Sequence, residues 1–279
     1  MSAPLLDGIV ADVRAALDRR KATVPLAALE DRPAFHAPTL SLARALRRPD
    51  GPAFLAECKR RSPSAGVLRG EYDAAAIARG YKAAAAAAVS VLTEPDHFGG
   101  SLADLAAVRD AVDLPVLRKD FVVDPYQIAE ARAYGADAVL LIAAILDPSQ
   151  LHDLHAAAAA LSLDALVEIH DPHELDGLDL ARLPVVGVNR RDLRTFEIRP
   201  ERAAEVFPLL PAPTVRVAES GLSTGTDAAA LAAAGADAFL VGSAFMRDAE
   251  PGRSLAALRR ETAIAMAGMG NAARGAGLR

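Results

Sequence analysis

Seven charged or amide side chains stand at the ends of short apolar runs: Glu57, Lys59, Lys119, Glu168, Asn189, Arg191 and Glu219. The runs read AFLAECK, PVLRKDF, DALVEIH, VVGVNRR and VRVAES. Carboxylates, ammonium groups, an amide and a guanidinium at matching points of repeated units provide proton donors, proton acceptors and anion ligands together. Period-2 alternation sends Glu57 and Lys59 to one face of their run and Cys58 to the other. It pairs Asn189 with Arg191 against Arg190, and Leu166, Glu168 and His170 against Val167 and Ile169. A lone Glu-x-Lys is more often a structural ion pair, and Arg191 or Glu219 alone is equally a strand-end salt bridge. The loop Lys59-Arg-Arg-Ser-Pro-Ser-Ala-Gly66 shifts the balance, since a basic, small-residue loop with hydroxyls suits an anionic ligand.

The elements that hold these residues repeat. Apolar runs begin near Ala53, Ala87, Pro115, Ala138, Asp164, Val185, Val215 and Ala238, and most are followed by an Ala/Leu-rich helical stretch. Such alternation implies parallel βα units, and eight of them imply closure into a (β/α)8 TIM barrel of the α/β class, with chemistry at the C-terminal strand ends. Asp124-Pro-Tyr-Gln127, Asp147-Pro-Ser-Gln150 and Asp171-Pro-His-Glu174 each read as an N-cap, a first-turn proline and a capping-box partner, predicting three helices that start alike. Gly135-Ala-Asp-Ala138 and Gly235-Ala-Asp-Ala238 end a helix and open a strand, four units apart. Residues 1–50 stand outside the repeat. Leu5, Ile9, Val13 and Leu17 predict an amphipathic helix, and Thr39 to Arg48 a second, together an N-terminal helical extension packed over one end of the barrel. The Ala tracts 83–88 and 156–160 read as helix, and the Gly-rich tail 268–279 as flexible. Residues 1–279 are read as a single domain.

The chain has 279 residues, 52% of them hydrophobic, enough to bury a large core. A net charge of −5 argues against nucleic acid or an anionic membrane as partner and leaves small-molecule work. The stretch AVLLIAAIL, 138–146, is far shorter than the roughly 20 residues of a membrane span. With one cysteine, Cys58, and Asp7 and Asp12 interrupting the N-terminal segment, the expectation is a cytoplasmic protein, with a monomer as the default. His152-x-x-His155 and His170-x-x-His173 have metal-like spacing but lack the cysteine or carboxylate context of a zinc site, so no metal is expected.

The segment AECKRRSPSAGVL resembles the signature of the indole-3-glycerol phosphate synthase family. Matches continue in order through SVLTEPDHFGGSLADL, PVLRKDFVVDPYQIAEARAYGADAVLLIAAIL, LVEIHDPHEL, GVNRRDLRTFEI, VAESGL and LVGSAFM, covering roughly residues 50–252. The resemblance implies closure of the indole ring of 1-(2-carboxyphenylamino)-1-deoxyribulose 5-phosphate with loss of carbon dioxide and water, in tryptophan biosynthesis, with neither cofactor nor metal. By that resemblance Lys119 is the general acid, with cations such as Lys59 easing proton release, and Glu168 is the general base, its affinity for a proton raised by an apolar pocket. Glu57 and Asn189 hold sugar hydroxyls, Glu57 also orients Lys59, and Lys59 shares the acid work in a division the sequence leaves open. Arg191 meets the substrate carboxylate, Glu219 is a further site carboxylate, and Phe98 and Phe121 flank the aromatic ring. His97 stands where many relatives have tyrosine, and Arg190 where many have a smaller residue. Phosphate is expected at Ser220-Gly221 and Gly242-Ser243, the usual locus in such barrels, with Lys59 and Ser62 nearby. Alternatives are another phosphate-binding barrel of the pathway, such as phosphoribosylanthranilate isomerase, or a non-catalytic scaffold barrel.

Overall fold

Eight parallel strands close on themselves in the computed structural model, which describes residues 5–192 and 197–276. They are β1 (Ala53–Cys58), β2 (Ala88–Leu92), β3 (Val116–Lys119), β4 (Ala138–Ile142), β5 (Asp164–Ile169), β6 (Val185–Asn189), β7 (Val215–Glu219) and β8 (Ala238–Val241). Each pairs with its chain neighbour and β8 returns to β1, so the fold is a (β/α)8 barrel. Residues 193–196 of the GVNRRDLRTFEI segment and the last three of the tail lie outside the described residues.

Alternation along the strands builds two cores. Leu55, Leu117, Leu140, Leu166, Val217 and Leu240 point inward and fill the barrel below the polar strand ends. Phe54, Val89, Val116, Val139, Val167 and Phe239 point outward against the helices. The inner set belongs to one continuous cluster with Leu6, Ile9 and Val13 from the first helix, Leu5–Thr23, and with Leu42 and Leu46 from the helix Leu42–Leu46. The extension therefore closes both ends of the barrel, not one. Leu5, Leu6 and Ile9 cover the C-terminal mouth. At the opposite end Leu40 N donates to Asp137 Oδ1 (2.7 Å), Ser41 Oγ and Ala43 N donate to Asp164 Oδ2 (3.0 Å each), and Arg47 donates to Pro213 O, all at strand beginnings. The buried stripe of the first helix runs through Leu6, while Leu5 is more exposed than the spacing implied.

Several local expectations need correction. Only Asp147 and Gln150 form a reciprocal capping box. Gln127 reaches back to Val123 N (2.9 Å) and Glu174 to His170 N (2.7 Å), each one residue beyond the cap. The unit after β5 has no α-helix; Asp171 caps a 3-10 turn, Pro172–Leu175, because Asp176-Gly177 turns the chain away after it. The first Ala tract is helical only to Ala83, then turns through Ala85 (φ 59°) into β2 at Ala88. The final helix, Pro251–Ala276, carries the backbone of the Gly-rich tail as far as Ala276.

The two Gly-Ala-Asp segments act alike. Gly135 and Gly235 take φ of 83° and 103°, and Asp137 and Asp237 each accept a strand N–H, from Val116 (2.8 Å) and Arg216 (2.8 Å). Asp137 is buried and also binds Leu40 N and Arg109 Nη1, whereas Asp237 is exposed. Asp137→Ala should cost about 3 kcal/mol by stranding several donors, and Asp237→Ala about 1 kcal/mol. Neither should lower turnover, since this end of the barrel serves stability; urea denaturation beside steady-state assays checks both statements.

Candidate active site

At the centre of the C-terminal mouth the Lys119 ammonium is largely buried among glutamates. Its Nζ donates to Glu168 Oε2 at 2.8 Å and to Glu219 Oε2 at 3.3 Å. Asn189 Nδ2 donates to the other oxygen of Glu168 at 3.2 Å, and Asn189 Oδ1 accepts from Arg191 N at 3.1 Å. The strand is anchored from behind by Arg118, which faces the helices. It binds Asp120 Oδ2 (2.8 Å), Thr93 Oγ1 (3.1 Å) and Gln127 O (2.6 Å), and meets Glu130, itself held by Arg20 of the first helix (2.8 Å). A buried charge with that many partners gives Lys119 a fixed base.

The proton affinities differ from the sequence expectation in direction. Burial pulls the Lys119 pKa down, but Glu168, Glu219 and Glu57 outweigh it and hold it above the ordinary lysine value. For Glu168, burial pushes up while Lys119 and His170 pull down harder, to about 2. The cations expected around Lys119 are not what it meets: Lys59 is engaged with Glu57 Oε1 at 2.6 Å. Glu219 is the carboxyl that burial raises, to about 8, against the pull of Lys119 and with help from Glu168. The acid and base candidates neutralise one another, and burial favours the protonated form of Glu219.

Glycines make room for these carboxylates. A Cβ on Gly187 would come 2.1 Å from Glu219 Oε1, and one on Gly242 would come 2.3 Å from Glu57 Oε1. An inward glycine in a strand marks such a close approach. Across the mouth, Ser220 and Gly221 take consecutive φ of 61° and 70°, and Ser243 opens the short helix Ser243–Met246. Both stretches line the same cavity as Lys59 and Ser62, with Ser64 adding a second hydroxyl 3.5 Å from Ser62 Oγ. The other end is aromatic: the Phe98 and Phe121 rings lie 6.0 Å apart, inclined by 42°. Glu94 fixes Phe98 by accepting three successive N–H groups, from Asp96, His97 and Phe98. His97 Nε2 lies 3.0 Å from Asp12, tying this loop to the covering helix.

A family model described as "Indole-3-glycerol phosphate synthase" matches residues 6–258. The chain belongs to the indole-3-glycerol phosphate synthase family. Relatives of that name include one from Salinibacter ruber, 48% identical over 92% of this chain and 96% of its own length. Another, from Mycolicibacterium smegmatis, is 46% identical over 92% of this chain and 94% of its own. The family carries out decarboxylating ring closure on a phosphorylated small molecule in tryptophan biosynthesis. Among solved structures, thiamine phosphate pyrophosphorylase from Pyrococcus furiosus superposes with a TM-score of 0.57 at 16% identity, covering 79% of this chain and 96% of that one. That likeness concerns the fold alone.

Every residue singled out from the sequence as part of an indole-3-glycerol phosphate synthase site lines this one cavity, including Arg191, where burial and the neighbouring Arg247 lower the guanidinium pKa. Arg190 faces away and donates to Ser220 O at 2.6 Å, bracing the β7 loop. His152 Nε2 accepts from Asp179 N at 3.1 Å, and His173 stands at the surface while His170 lies beside Glu168. Sequence reasoning missed the covering residues Leu5, Leu6 and Ile9, the clearance at Gly187, and His170, whose Nε2 is 3.2 Å from Glu168 Oε1. The inward parity of Gly187 and His170 with their strand mates was the available signal. No helix among the described residues is long and apolar enough to cross a membrane.

Glu219 carries a pH signature. Folded, it keeps its proton to about pH 8; an ordinary glutamate loses it near 4.5. Between those values the unfolded chain releases a proton that the folded chain holds, so the group's contribution to stability falls as pH rises. Glu219→Gln, permanently neutral, should gain stability relative to the parent through that window and level off above it. Urea titrations at acidic, neutral and alkaline pH test this; a constant difference would mean Glu219 titrates as an ordinary carboxylate.

Proposed function

We propose that Lys119 and Glu168 are the general acid and general base of indole-3-glycerol phosphate formation in this chain. The observation that supports this most is their 2.8 Å contact at the floor of the mouth. Burial is the largest influence on each, and it favours neutral lysine and neutral glutamate; their mutual attraction is the strongest contact opposing it, ahead of Glu219 and Glu57 for Lys119 and of His170 for Glu168. Substrate entering between them parts the pair. Lys119 then releases its proton more readily and Glu168 holds one more tightly, the directions that an acid and a base need. Lys119 protonates the ketone oxygen as the ring carbon bonds to the ketone carbon. Carbon dioxide leaves, and Glu168 takes the proton whose loss makes the new ring aromatic as water departs.

The remaining roles are those the family resemblance implies, and the lining of one cavity supports them. Arg191 clamps the substrate carboxylate at the anthranilate end, where Phe98 and Phe121 flank the ring. Glu57 and Asn189 hold the sugar hydroxyls, and Glu57 also orients Lys59, which shares the acid work. Glu219, protonated, donates a hydrogen bond without adding charge beside Lys119. The phosphate sits against the backbone N–H groups of Ser220-Gly221 and Gly242-Ser243, with Lys59 and Ser62 alongside. The enzyme is proposed to be a cytoplasmic monomer of a single domain that uses neither metal nor cofactor.

Indole fluorescence reports product directly, because the chain has no tryptophan and four tyrosines. Lys119→Met should lower kcat by about 100-fold or more, the usual scale for losing a general acid. Glu168→Gln should allow ring closure and accumulate decarboxylated material ahead of indole in quenched-flow samples. Near-normal turnover in Lys119→Met would hand the acid role to Lys59 or water. For the phosphate locus a bulky residue at Gly242 is a poor probe, since it would strike Glu57 first. Ser243→Asp instead sets a negative charge at the helix start and should raise KM about tenfold or more while kcat changes less; an unchanged KM would remove this loop from the phosphate site.

A further inference from the structure

The proton balance of the proposed reaction does not close inside the site. One proton goes to the ketone oxygen and a second leaves within the water, while the base recovers only one from carbon. A carboxylate departs as neutral carbon dioxide, so one proton per turnover must enter from solvent. With Lys119 the donor to the ketone oxygen and again to the departing hydroxyl, return of a proton from Glu168 across their 2.8 Å contact recharges it once, and the second proton is the one that must enter. Yet Glu168 and Glu219 are almost completely buried, and with the mouth occupied by substrate under Leu5, Leu6 and Ile9 the direct way in is filled.

A second cavity of about 250 Å³ adjoins the first, separated from it by Leu6 and Asn189, which line both. Its wall carries His170, Glu174, Arg190 and Arg202. His170 Nε2 stands 3.2 Å from Glu168 Oε1, its Nδ1 3.9 Å from Glu174 Oε2, and neither ring nitrogen has an aligned hydrogen-bond partner among the described residues. Glu174 is held at this distance by accepting the backbone N–H of His170 at 2.7 Å. The other charged groups facing the ring are committed elsewhere: Asp171 to Arg202 at 2.9 Å, Asp192 near Arg199 at 4.0 Å, and Arg190 to Ser220 O at 2.6 Å.

We propose that Glu174 and His170 form a proton relay that carries the incoming proton from the second cavity to Glu168 and on to Lys119. Glu174, protonated from water, gives its proton to His170 Nδ1 once a small torsional swing closes the 3.9 Å between them. The imidazolium gives its Nε2 proton to Glu168 Oε1. After rotation of its carboxyl group, a soft torsion, Glu168 passes that proton to the neutral Lys119 amine. Each carrier ends as it began, and the net change is one proton moved from solvent to Lys119. Burial favours the protonated form of Glu174, against the pull of His170 N–H, which suits the entry point. The relay rests on Glu168 and Lys119 acting as base and acid.

His170→Ala leaves space for free imidazole beside Glu168. Turnover should fall about tenfold or more with KM little changed, the solvent deuterium isotope effect on kcat should grow, and added imidazole should restore rate in proportion to its protonated fraction. Glu174→Gln should show the same fall without imidazole rescue. His170→Gln, which keeps polarity but cannot shuttle, carries the test if the alanine variant folds poorly. Wild-type kcat in the His170 variants would overturn the relay, as would a loss that imidazole does not restore in a folded His170→Ala protein. Glu168→Gln assayed in parallel separates the two ideas: undiminished turnover there defeats the base assignment itself, whereas a dead Glu168→Gln beside an active His170→Gln defeats only the relay.

Discussion

A buried ammonium imposes the central constraint on this protein. Removing a charge from water costs several kcal/mol even after relaxation, and one partner repays it only with good geometry. At an effective dielectric of about 20, two charges 4 Å apart attract by roughly 4 kcal/mol. Lys119 meets the requirement with the Glu168 carboxylate of β5 at 2.8 Å and a longer contact to Glu219 of β7 at 3.3 Å. The closed barrel is what allows strands that distant in sequence to converge on one amine. In turn the carboxylates need their own arrangements: Asn189 for Glu168, a proton and the missing side chain of Gly187 for Glu219.

The same economy explains why the resting site is stable although its groups are poised to react. Acid and base candidates satisfy one another when no substrate is present. Desolvation acts on both at all times, and once the other is displaced it makes Lys119 a readier proton donor and Glu168 a readier acceptor. Electrostatic pairing thus stabilises the two charges, while burial supplies the reactivity.

Rigidity comes from outside the barrel. Arg118, directly behind Lys119, joins β2, β3 and the helix Pro125–Ala133 through Thr93, Asp120, Gln127 and Glu130, and Glu130 carries the network to Arg20 of the covering helix. The N-terminal extension reaches both barrel ends, so the segment that plugs the bottom is continuous in chain with the one that roofs the chemistry. That coupling gives the extension a part in the site as well as in the core.

Alternation and turn chemistry are local properties, and they were legible in the sequence alone: eight strands begin within a residue of where the apolar runs begin, and Glu57, Lys59, Glu168, Asn189 and Arg191 point inward as period 2 requires. The ordered motifs carried the family. What the sequence could not supply was anything depending on who meets whom across the mouth. Lys59 and Lys119 look alike as strand-end cations, but one is taken by Glu57 and the other by Glu168 and Glu219, which reverses the shifts anticipated for Lys119 and Glu168. Three Asp-Pro starts look identical, yet only one makes a full capping box. The extension's reach to both ends and the clearance at Gly187 likewise exist only once the barrel closes, whereas the place of His170 beside Glu168 was already set by their shared strand face. Proton affinity and steric clearance fall off over a few ångströms, and residues such as Lys119 and Glu219, 100 positions apart, acquire such neighbours only through tertiary structure.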